Sequence, residues 1–491
     1  MKNYLLLGLA LVCLPVSQIK ADTLLRLKER VPLEKLAEEV LDPASPRFGK
    51  FYSPEEIREI SGPDERAYGA LLRDLKYRGY TVIAEDKTKL FLTVHEPKKI
   101  ANALSTLALL NSDLIENIIV SDHSQKFHPM FNILSAAAPQ KATTPTQIRA
   151  LYEFNPIYTS GVSGKGQHIA IATYDGFNID DINIYYDKTN LNPKPKVDQV
   201  IFNGAPALNS ESAVETEVDA EFSGQLAPGA EIHVFASSEN SDLGEVQIFN
   251  AILDDNRSKI VNYSWGSCEV QTTPQHKTDM DKIFARAIAQ GVNIFVASGD
   301  SGALGCGDGK IMADWPAAHP NVIAVGGTKI NINVANDLPN ETAWNGSGGG
   351  ISDFYALPTW QAHIGAQFVR RSFPDVAFNA DPQSGQTAWV QYHQKETDPY
   401  VPMWLTIGGT SIASPQWAGF LALVNEARGT KGSMSFINPI LYSISAQDRG
   451  VLFNDVVTGD NNGYSAGPGW DAVTGWGSMR AAPLLNYLVA H

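Results

Sequence analysis

The feature that most constrains this 491-residue chain is an alternation of short apolar runs with helical segments beyond residue 145. The runs are His168 to Thr173, Glu231 to Ala236, Ile260 to Ser264, Val292 to Ser298 and Val322 to Val325. Their length and composition predict buried strands, and the segments between them predict helices. Such alternation predicts an α/β fold with a mostly parallel sheet and helices on both faces. In such sheets, ligands bind at the carboxyl ends of the strands.

A smaller domain of mixed character precedes this region. Helical patterns at Leu33 to Val40 and Ala67 to Tyr77, with strand-like runs at Tyr80 to Ala84 and Leu90 to Val94, predict an α+β domain over residues 22–131. Residues 132–144 show no periodicity and little bulk, which predicts an exposed linker that proteases cut. The larger α/β domain then occupies residues 145–491.

The first 21 residues predict a signal peptide. Lys2 is followed by an apolar run that is shorter than the ~20 residues of a membrane-spanning helix, with cleavage expected after Ala21. A membrane anchor is the alternative, which the length of the run disfavours. We therefore expect a secreted or periplasmic protein. Cys268 and Cys306 follow neighbouring predicted strands, and in an oxidising compartment we predict a disulfide between them.

Charge and composition exclude some classes of partner. The formal net charge of -15 leaves no basic face for nucleic acid, and no segment beyond the leader could span a membrane. With 44% hydrophobic residues the chain has material for a large core. We expect a soluble monomer.

A candidate nucleophile is Ser411, in the segment LTIGGTSIASPQWAG at 405–419. The glycines let a substrate backbone approach, and a serine at a helix start gains from unpaired N–H groups and the helix dipole. Ala413 breaks the G-x-S-x-G elbow of the α/β-hydrolases, which argues against a lipase or esterase. The alternative is a Gly/Ser-rich helix cap.

This block resembles the serine motif of the subtilisins and of the sedolisins, the serine-carboxyl peptidases that include tripeptidyl peptidase. A subtilisin needs a histidine base, and none of the seven histidines beyond the linker has the expected context. The segment AVETEVDAEFSGQ at 213–225 instead resembles the sedolisin block, which implies Glu215 as the base and Asp219 as its support. On a helix, positions i and i+4 share a face, so the two carboxyls can share a proton. A solvated acidic helix face, or a strand, remains the alternative for this segment.

The turn FVASGDSG at 295–302 presents Asp300, which matches the sedolisin aspartic acid that helps to bind the oxyanion. A carboxyl donates a hydrogen bond only when protonated, which favours operation in acid. Without the serine and glutamate segments described above, an Asx-turn would be the better interpretation of Asp300. The chain departs from the family at Thr173, where some sedolisins have a further glutamate. Asp175 would be the triad aspartate of a histidine-dependent subtilisin.

Near the C-terminus, FNDVVTGDNNGYSAGPGWDAVTG resembles the sedolisin calcium loop. The resemblance implies one calcium ion, held by the carboxylates of Asp455 and Asp471 and by the carbonyls of Val456, Gly467 and Gly469. An Asn/Gly turn cluster without metal is the alternative. The segment LDPASPRFGKFYSPEEI at 41–57 resembles the family's activation domain, which implies a propeptide that occupies the cleft as an intramolecular inhibitor until the linker is cut.

Together these blocks imply a proenzyme with a subtilisin-like fold that hydrolyses peptides or unfolded proteins, either as an endopeptidase or as a tripeptidyl peptidase. Substrate is expected to lie extended against Ser264 to Gly266 and Ser347 to Gly350. Two alternatives stay open, a histidine-dependent subtilisin and a non-catalytic module that binds peptide.

Overall fold

The structure is a computed structural model that describes residues 22–95, 113–120, 126–135, 142–202, 213–331, 340–392, 399 and 401–491. The predicted signal peptide lies outside these residues, as do residues 136–141 of the predicted linker. Among the described helices, none combines the length and the hydrophobicity that crossing a membrane requires.

The strands and helices follow the alternation that the sequence predicts. The strands are β1 Asp22–Leu27, β2 Thr81–Glu85, β3 Phe91–His95, β4 Ile115–Val120, β5 His128–Pro129, β6 Asn132–Ser135, β7 His168–Thr173, β8 Lys196–Phe202, β9 Glu231–Ser237, β10 Ile260–Tyr263, β11 Trp265–Cys268, β12 Asn293–Ala297, β13 Asp314–Trp315, β14 Ile323–Ile330, β15 Glu341–Ala343, β16 Gly350–Ala356, β17 Arg370–Phe373, β18 Val376–Asn379, β19 Gln386–Tyr392, β20 Val401–Gly408, β21 Phe453–Asn454 and β22 Ser478–Met479. The helices are Leu33–Leu41, Pro54–Ser61, Glu65–Tyr77, Pro145–Leu151, Asn155–Thr159, Ile179–Lys188, Ala213–Leu226, Asp242–Asp255, Pro274–Ala289, Thr410–Arg428, Asn438–Ser443, Ala446–Leu452 and Ala481–Ala490.

The large domain is built on one sheet, in the order β21-β22-β18-β14-β12-β10-β7-β9-β8. In this order, every pair of neighbouring strands from β22 to β8 is parallel. The strand β21 pairs antiparallel with β22, and β15 pairs antiparallel with β14. Buried apolar residues cover both faces of the sheet, as parallel strands require. The predicted parallel α/β fold is confirmed.

The N-terminal domain is an antiparallel sheet in the order β2-β3-β1-β4 with helices packed against it, which confirms the predicted α+β unit. It docks on the helix Pro274–Ala289 of the large domain through buried ion pairs. Arg26 Nε donates to Asp279 Oδ1 at 2.6 Å, and Arg286 Nη1 donates to Asp86 Oδ2 at 3.1 Å. Buried guanidinium groups need such partners, because an unpaired buried charge is costly.

The segment between the two domains is more ordered than the sequence suggests. Asn132–Ser135, which the sequence assigned to an exposed linker without structure, forms β6 and pairs antiparallel with β20. Thr143, near the other end of the predicted linker, is buried and forms a bridge with Gln386. The linker prediction is wrong at these residues, because their partners are backbone groups of strands more than 200 positions away. The predicted disulfide between Cys268 and Cys306 is present.

Candidate active site

The helix Ala213–Leu226, here named the glutamate helix, is buried at every position although it carries four carboxyl groups. It packs beside the helix Thr410–Arg428, here named the serine helix, and against β7, β9 and β19. Both alternatives for this segment, a solvated acidic face and a strand, are therefore wrong. Its residues alternate in polarity, but burial on all sides requires each carboxyl to find its own partner.

Ser411 and Glu215 form the central contact of the site. Ser411 lies in the first turn of the serine helix, and its Oγ donates to Glu215 Oε2 at 2.8 Å. Both side chains are completely buried. Gly409, which precedes the helix, has φ +118°, and a Cβ there would lie 2.5 Å from the Met130 carbonyl oxygen and 2.6 Å from Asp300 Oδ2. Only glycine accommodates that conformation and that crowding.

Asp219 lies one helical turn after Glu215. Ser264 Oγ donates to Asp219 Oδ1 at 2.6 Å. Glu215 Oε1 and Asp219 Oδ2 are buried and have no hydrogen-bond partner among the described residues, so one proton held between the two carboxyls would satisfy both. Burial, followed by the charge of Asp219, raises the pKa of Glu215 well above its usual range, and burial also raises the pKa of Asp219.

Asp300 follows β12 on a glycine turn, as predicted, and faces the start of the serine helix. The Thr410 backbone N–H and the Thr410 hydroxyl both donate to Asp300 Oδ1 at 2.8 Å, while Asn132 Nδ2 donates to Oδ2 at 2.9 Å. Burial raises the pKa of Asp300 to about 7 against the lowering effect of these donors. Asp314 is a buried neighbour whose own pKa is raised by burial and then by the charge of Asp300.

A peptide carbonyl of the chain itself occupies the site. The Ser411 backbone N–H donates to the Met130 carbonyl oxygen at 3.0 Å, and the Met130 N–H is shared between Glu215 Oε2 at 3.0 Å and the Ser264 carbonyl at 3.2 Å. Sequence reasoning missed Met130, Asn132 and Thr410. A signal existed only for Thr410, which directly precedes the serine.

The residues of the histidine alternative lie elsewhere. None of the described histidines is a hydrogen-bond partner of Ser411, whose hydroxyl bonds to Glu215. His276 Nε2 contacts Glu245 at 2.5 Å, and His319 Nε2 contacts Asp281 at 2.9 Å. Thr173 Oγ1 lies 2.7 Å from Thr216 Oγ1 and brings no third carboxyl to the pair.

The two predicted substrate edges differ. Trp265 and Gly266 of β11 pair antiparallel with β5, so this edge already holds an extended chain. The segment from Ser347 to Gly350 contacts the backbone directly before Asp300, where the Gly348 N–H donates to the Gly299 carbonyl at 2.7 Å. The second edge that the extended chain uses is β20, with which β6 pairs, and not the segment from Ser347 to Gly350.

In the predicted calcium loop, the carboxylates of Asp455 and Asp471 both accept hydrogen bonds from the same glycine-rich segment. Gly469 N–H donates to Asp455 Oδ2 at 2.9 Å, and Gly467 N–H donates to Asp471 Oδ2 at 3.1 Å. The carbonyl oxygens of Val456, Gly467 and Gly469 accept no hydrogen bond from any residue that the structure describes. Two carboxylates beside unpaired carbonyls are hard oxygen donors that fit calcium.

A second group of potential ligands was not predicted. One ligand atom each from His168, Glu231 and His233 lie within 4.8 Å of one another at the amino ends of β7 and β9. These strand ends are opposite to the carboxyl ends, where the active site lies. His233 Nδ1 also contacts Asp198 Oδ1 at 2.6 Å.

The remaining carboxyls of the glutamate helix bond to the backbone of β19. The Gln391 N–H donates to Glu217 Oε2 at 2.9 Å, and the Trp389 N–H donates to Glu221 Oε2 at 3.2 Å. Burial raises the pKa of Glu217 to about 8 despite its two backbone donors, with nearby Asp181 adding to the rise. Burial likewise raises the pKa of Glu221 well above its usual range.

The fold is therefore expected to be more stable in acid than at neutral pH. A carboxyl whose pKa rises on folding contributes stability that is fully present below its unfolded pKa and is lost as pH rises toward the folded value. For Glu217 this window runs from about 4.5 to about 8. We expect the Tm to fall across the window, and Glu217→Gln to remove up to about 1.4 kcal/mol per pH unit of that dependence.

Calorimetry between pH 4 and pH 8 tests this expectation, with Ser411→Ala present in every protein compared. Glu231→Gln, at a partly exposed carboxyl at the start of β9, is the matched control and is expected to keep the wild-type pH dependence. A Tm that rises from pH 5 to pH 8 would contradict the prediction.

The chain is similar to known serine-type peptidases and to their activation domain. The profile of the Subtilase family matches residues 205–477, and that of the pro-kumamolisin activation domain matches residues 13–108. The chain is 27% identical to sedolisin of Pseudomonas sp. (strain 101), over 94% of this chain and 86% of that protein. It is 34% identical to kumamolisin of Bacillus sp. (strain MN-32), over 73% of this chain and 66% of that protein.

A solved structure is similar as well. The structure of Pseudomonas sedolisin, a serine-carboxyl proteinase complexed with two molecules of pseudo-iodotyrostatin, superimposes with a TM-score of 0.64 and 30% identity. The match covers 72% of this chain and 100% of that chain. The likeness therefore extends over the whole of that proteinase.

Proposed function

Because the chain belongs to the sedolisin family of serine-type peptidases and carries a family activation domain, we propose that it is a secreted proenzyme that hydrolyses peptide bonds in acid. The observation that carries this proposal is the 2.8 Å hydrogen bond from Ser411 Oγ to a buried glutamate. A serine hydroxyl needs a base within such reach to become a nucleophile.

In the proposed mechanism, Ser411 Oγ attacks the substrate carbonyl carbon while Glu215 accepts its proton. Asp219 shares the charge and the proton of the pair, in the role that an orienting group has beside any catalytic base. Glu215 then gives the proton to the leaving amine. In the second half of the reaction a water molecule attacks the acyl-enzyme and gives a proton to Glu215, which returns it to Ser411 Oγ. Loss of the covering chain admits water to the cleft, which reduces the desolvation that raises the pKa of Glu215.

Two donors are proposed to stabilise the oxyanion, the Ser411 backbone N–H and the protonated carboxyl of Asp300. The N–H already donates to the Met130 carbonyl oxygen at 3.0 Å. A Cβ on Gly409 would lie 2.5 Å from that oxygen and 2.6 Å from Asp300 Oδ2, so the two oxygens are close neighbours. Donors placed where negative charge develops are worth more in a buried site than in water.

Substitution of the two central residues tests the mechanism. We expect Ser411→Ala to abolish hydrolysis of an unfolded protein in acid, and Glu215→Gln to lower kcat by about 10²–10⁴, because the base is lost while the cavity keeps its shape. Glu231→Gln is the matched control and should keep full activity. If Glu215→Gln were as active as the wild type, the proposed base would be wrong. If the wild type bound peptide without releasing product, the binding-module alternative would be correct.

Asp300 is expected to set the upper pH limit of activity. It can donate only while protonated, so kcat is expected to fall as pH rises through the pKa of Asp300, which burial raises to about 7 while the covering chain is in place. Asp300→Asn keeps an N–H donor at every pH and should move the alkaline limb upward. Asp300→Ala should lower kcat by about 10²–10³ at pH values below the alkaline limb of the wild type, where Asp300 is protonated.

The profiles of kcat against pH for the three proteins, compared with the Tm of each protein at the same pH values, check this expectation. An Asp300→Asn variant that keeps the alkaline limb of the wild type would assign that limb to another group.

Secretion and the monomeric state are also proposed. The apolar leader and the disulfide between Cys268 and Cys306 support an oxidising compartment, either the periplasm or the medium. The four proposed catalytic side chains come from one chain, which supports a monomer.

One calcium ion is proposed in the loop between Asp455 and Asp471. These two carboxylates and the carbonyls of Val456, Gly467 and Gly469 would hold it, and its charge would tie the two ends of the loop together. The ion has no part in the chemical steps derived above.

We expect added Ca²⁺ to raise the Tm of Ser411→Ala protein, because an ion that binds only the folded state stabilises it by mass action. Asp455→Asn should abolish the shift, since Asp455 is exposed and its loss removes a ligand but little packing. The control is Asp460→Asn, at an exposed aspartate of the same loop. Thermal unfolding with Ca²⁺ and with a chelator makes the measurement. An unchanged Tm in the unsubstituted loop would contradict the site.

A further inference from the structure

The segment from Lys126 to Ser135 crosses the whole active site as an extended chain. β5 pairs with β11 on one side of Ser411, and β6 pairs with β20 on the other. Backbone pairing on both sides of a nucleophile is how an extended peptide adds to exposed strand edges. The segment is therefore bound as a substrate would be, with one peptide bond at the nucleophile.

The bond at the nucleophile follows Met130. Ser411 donates its backbone N–H to the Met130 carbonyl at 3.0 Å and its hydroxyl to Glu215 at 2.8 Å, so the carbonyl lies beside the serine on the side of the base. The Met130 N–H contacts Glu215 and the Ser264 carbonyl, which fixes the residue from the other side. Asn132 Nδ2 bonds to Asp300 Oδ2 two residues further on.

The side chain of Met130 lies in a pocket that glycine creates. It is buried, and a Cβ on Gly266 would collide with its terminal methyl group and would lie 2.8 Å from the Trp315 carbonyl. A long unbranched side chain therefore fits where the backbone of β11 lacks a side chain. Phe131, on the other side of the bond, packs against the apolar cluster that contains Ile407 and Ile412.

A second side-chain site lies three residues before Met130. Phe127 is buried, and its ring stacks on Tyr174 with 5.5 Å between the ring centroids. Its backbone is held on both sides by one amide, because Phe127 N–H donates to Asn240 Oδ1 at 2.8 Å and Asn240 Nδ2 donates to the Phe127 carbonyl at 2.9 Å. Lys126, next to it, forms an ion pair with Asp242.

We propose that Met130–Phe131 is the bond that the proenzyme first cleaves in its own chain, and that the same contacts select substrates with a long unbranched apolar residue before the bond and an aromatic residue three positions earlier. The proposal rests on the proposed peptidase function. It places the first cut before the segment 132–144 that the sequence predicted as the cleavable linker.

The step is ordinary acyl transfer. Ser411 Oγ bonds to the Met130 carbonyl carbon, the bond from that carbon to the Phe131 nitrogen breaks, and the serine proton passes through Glu215 to the Phe131 amine. Water then hydrolyses the ester, which leaves a carboxylate on Met130 and regenerates the serine. One water is consumed, and the large fragment begins at Phe131.

The experiment is N-terminal sequencing and intact-mass analysis of the proenzyme at early times after acidification. The expected new terminus is Phe-Asn-Ile-Leu. Met130→Arg should slow this cut by about tenfold or more, because the apolar pocket rejects a charge that acid does not remove. Ala137→Asp, within the segment that the sequence predicted to be cut, is the matched control and should leave both rate and terminus unchanged.

A peptide gives a readout that does not depend on folding of the proenzyme variants. The peptide FHPMFNILS, residues 127–135, should be cut by the mature enzyme between Met and Phe, faster than the same peptide with Arg in place of Met. Replacement of its first Phe by Ala should lower kcat/KM as well, because the contact with Tyr174 is lost.

The outcomes separate the two levels of inference. Absence of any acid cleavage that depends on Ser411 would overturn the proposed function itself. Cleavage that depends on Ser411 but whose first new terminus lies within residues 132–144, or that is as fast in Met130→Arg, would leave the proposed peptidase function intact and overturn the assignment of the bond.

Discussion

The burial of an acidic helix beside the nucleophile is the constraint on which the rest of this structure depends. The glutamate helix has no exposed residue, so each of its four carboxyls must find donors in the elements around it. Glu215 bonds to the start of the serine helix, Asp219 to the end of β10, and Glu217 and Glu221 to β19. The serine helix, the sheet and the β19–β20 hairpin are thus held in place by the groups that carry the proposed chemistry.

The proposed operation in acid agrees with this burial at two levels. The raised pKa values of Glu217 and Glu221 mean that the core itself is more stable when its carboxyls keep their protons. Because the pKa of Asp300 is raised, the same acidity would convert it from a carboxylate into the oxyanion donor that we propose. A histidine base would be positively charged in that pH range and could not accept the serine proton. A carboxylate base can accept that proton in acid once water enters the cleft and reduces the desolvation that raises the pKa of Glu215.

The sequence predicted the architecture and the central residues but not the path of the chain through the cleft. Local periodicity and glycine turns reveal β7, β12 and the start of the serine helix, because those signals lie within a few neighbouring residues. The i, i+4 spacing of Glu215 and Asp219 placed them on one face, but whether that face is solvated or buried depends on packing that periodicity does not encode. β6 was missed because its partner, β20, lies far along the chain, and pairing of that kind leaves no pattern in a stretch as short as Asn132–Ser135.

Latency can be understood from the same contacts. The segment at Met130 satisfies the subsites as a substrate does, so the proenzyme needs a reason to remain intact before acidification. Under the proposed mechanism Asp300 supplies one, because an ionised Asp300 has no proton to donate and carries its charge near the Met130 carbonyl oxygen. A Cβ on Gly409 would lie 2.6 Å from Asp300 Oδ2 and 2.5 Å from that oxygen. Protonation of Asp300, whose pKa burial raises to about 7, would remove this charge and supply the donor that the proposed mechanism needs at the same oxygen. The change that makes the mature enzyme active would thus also begin its maturation.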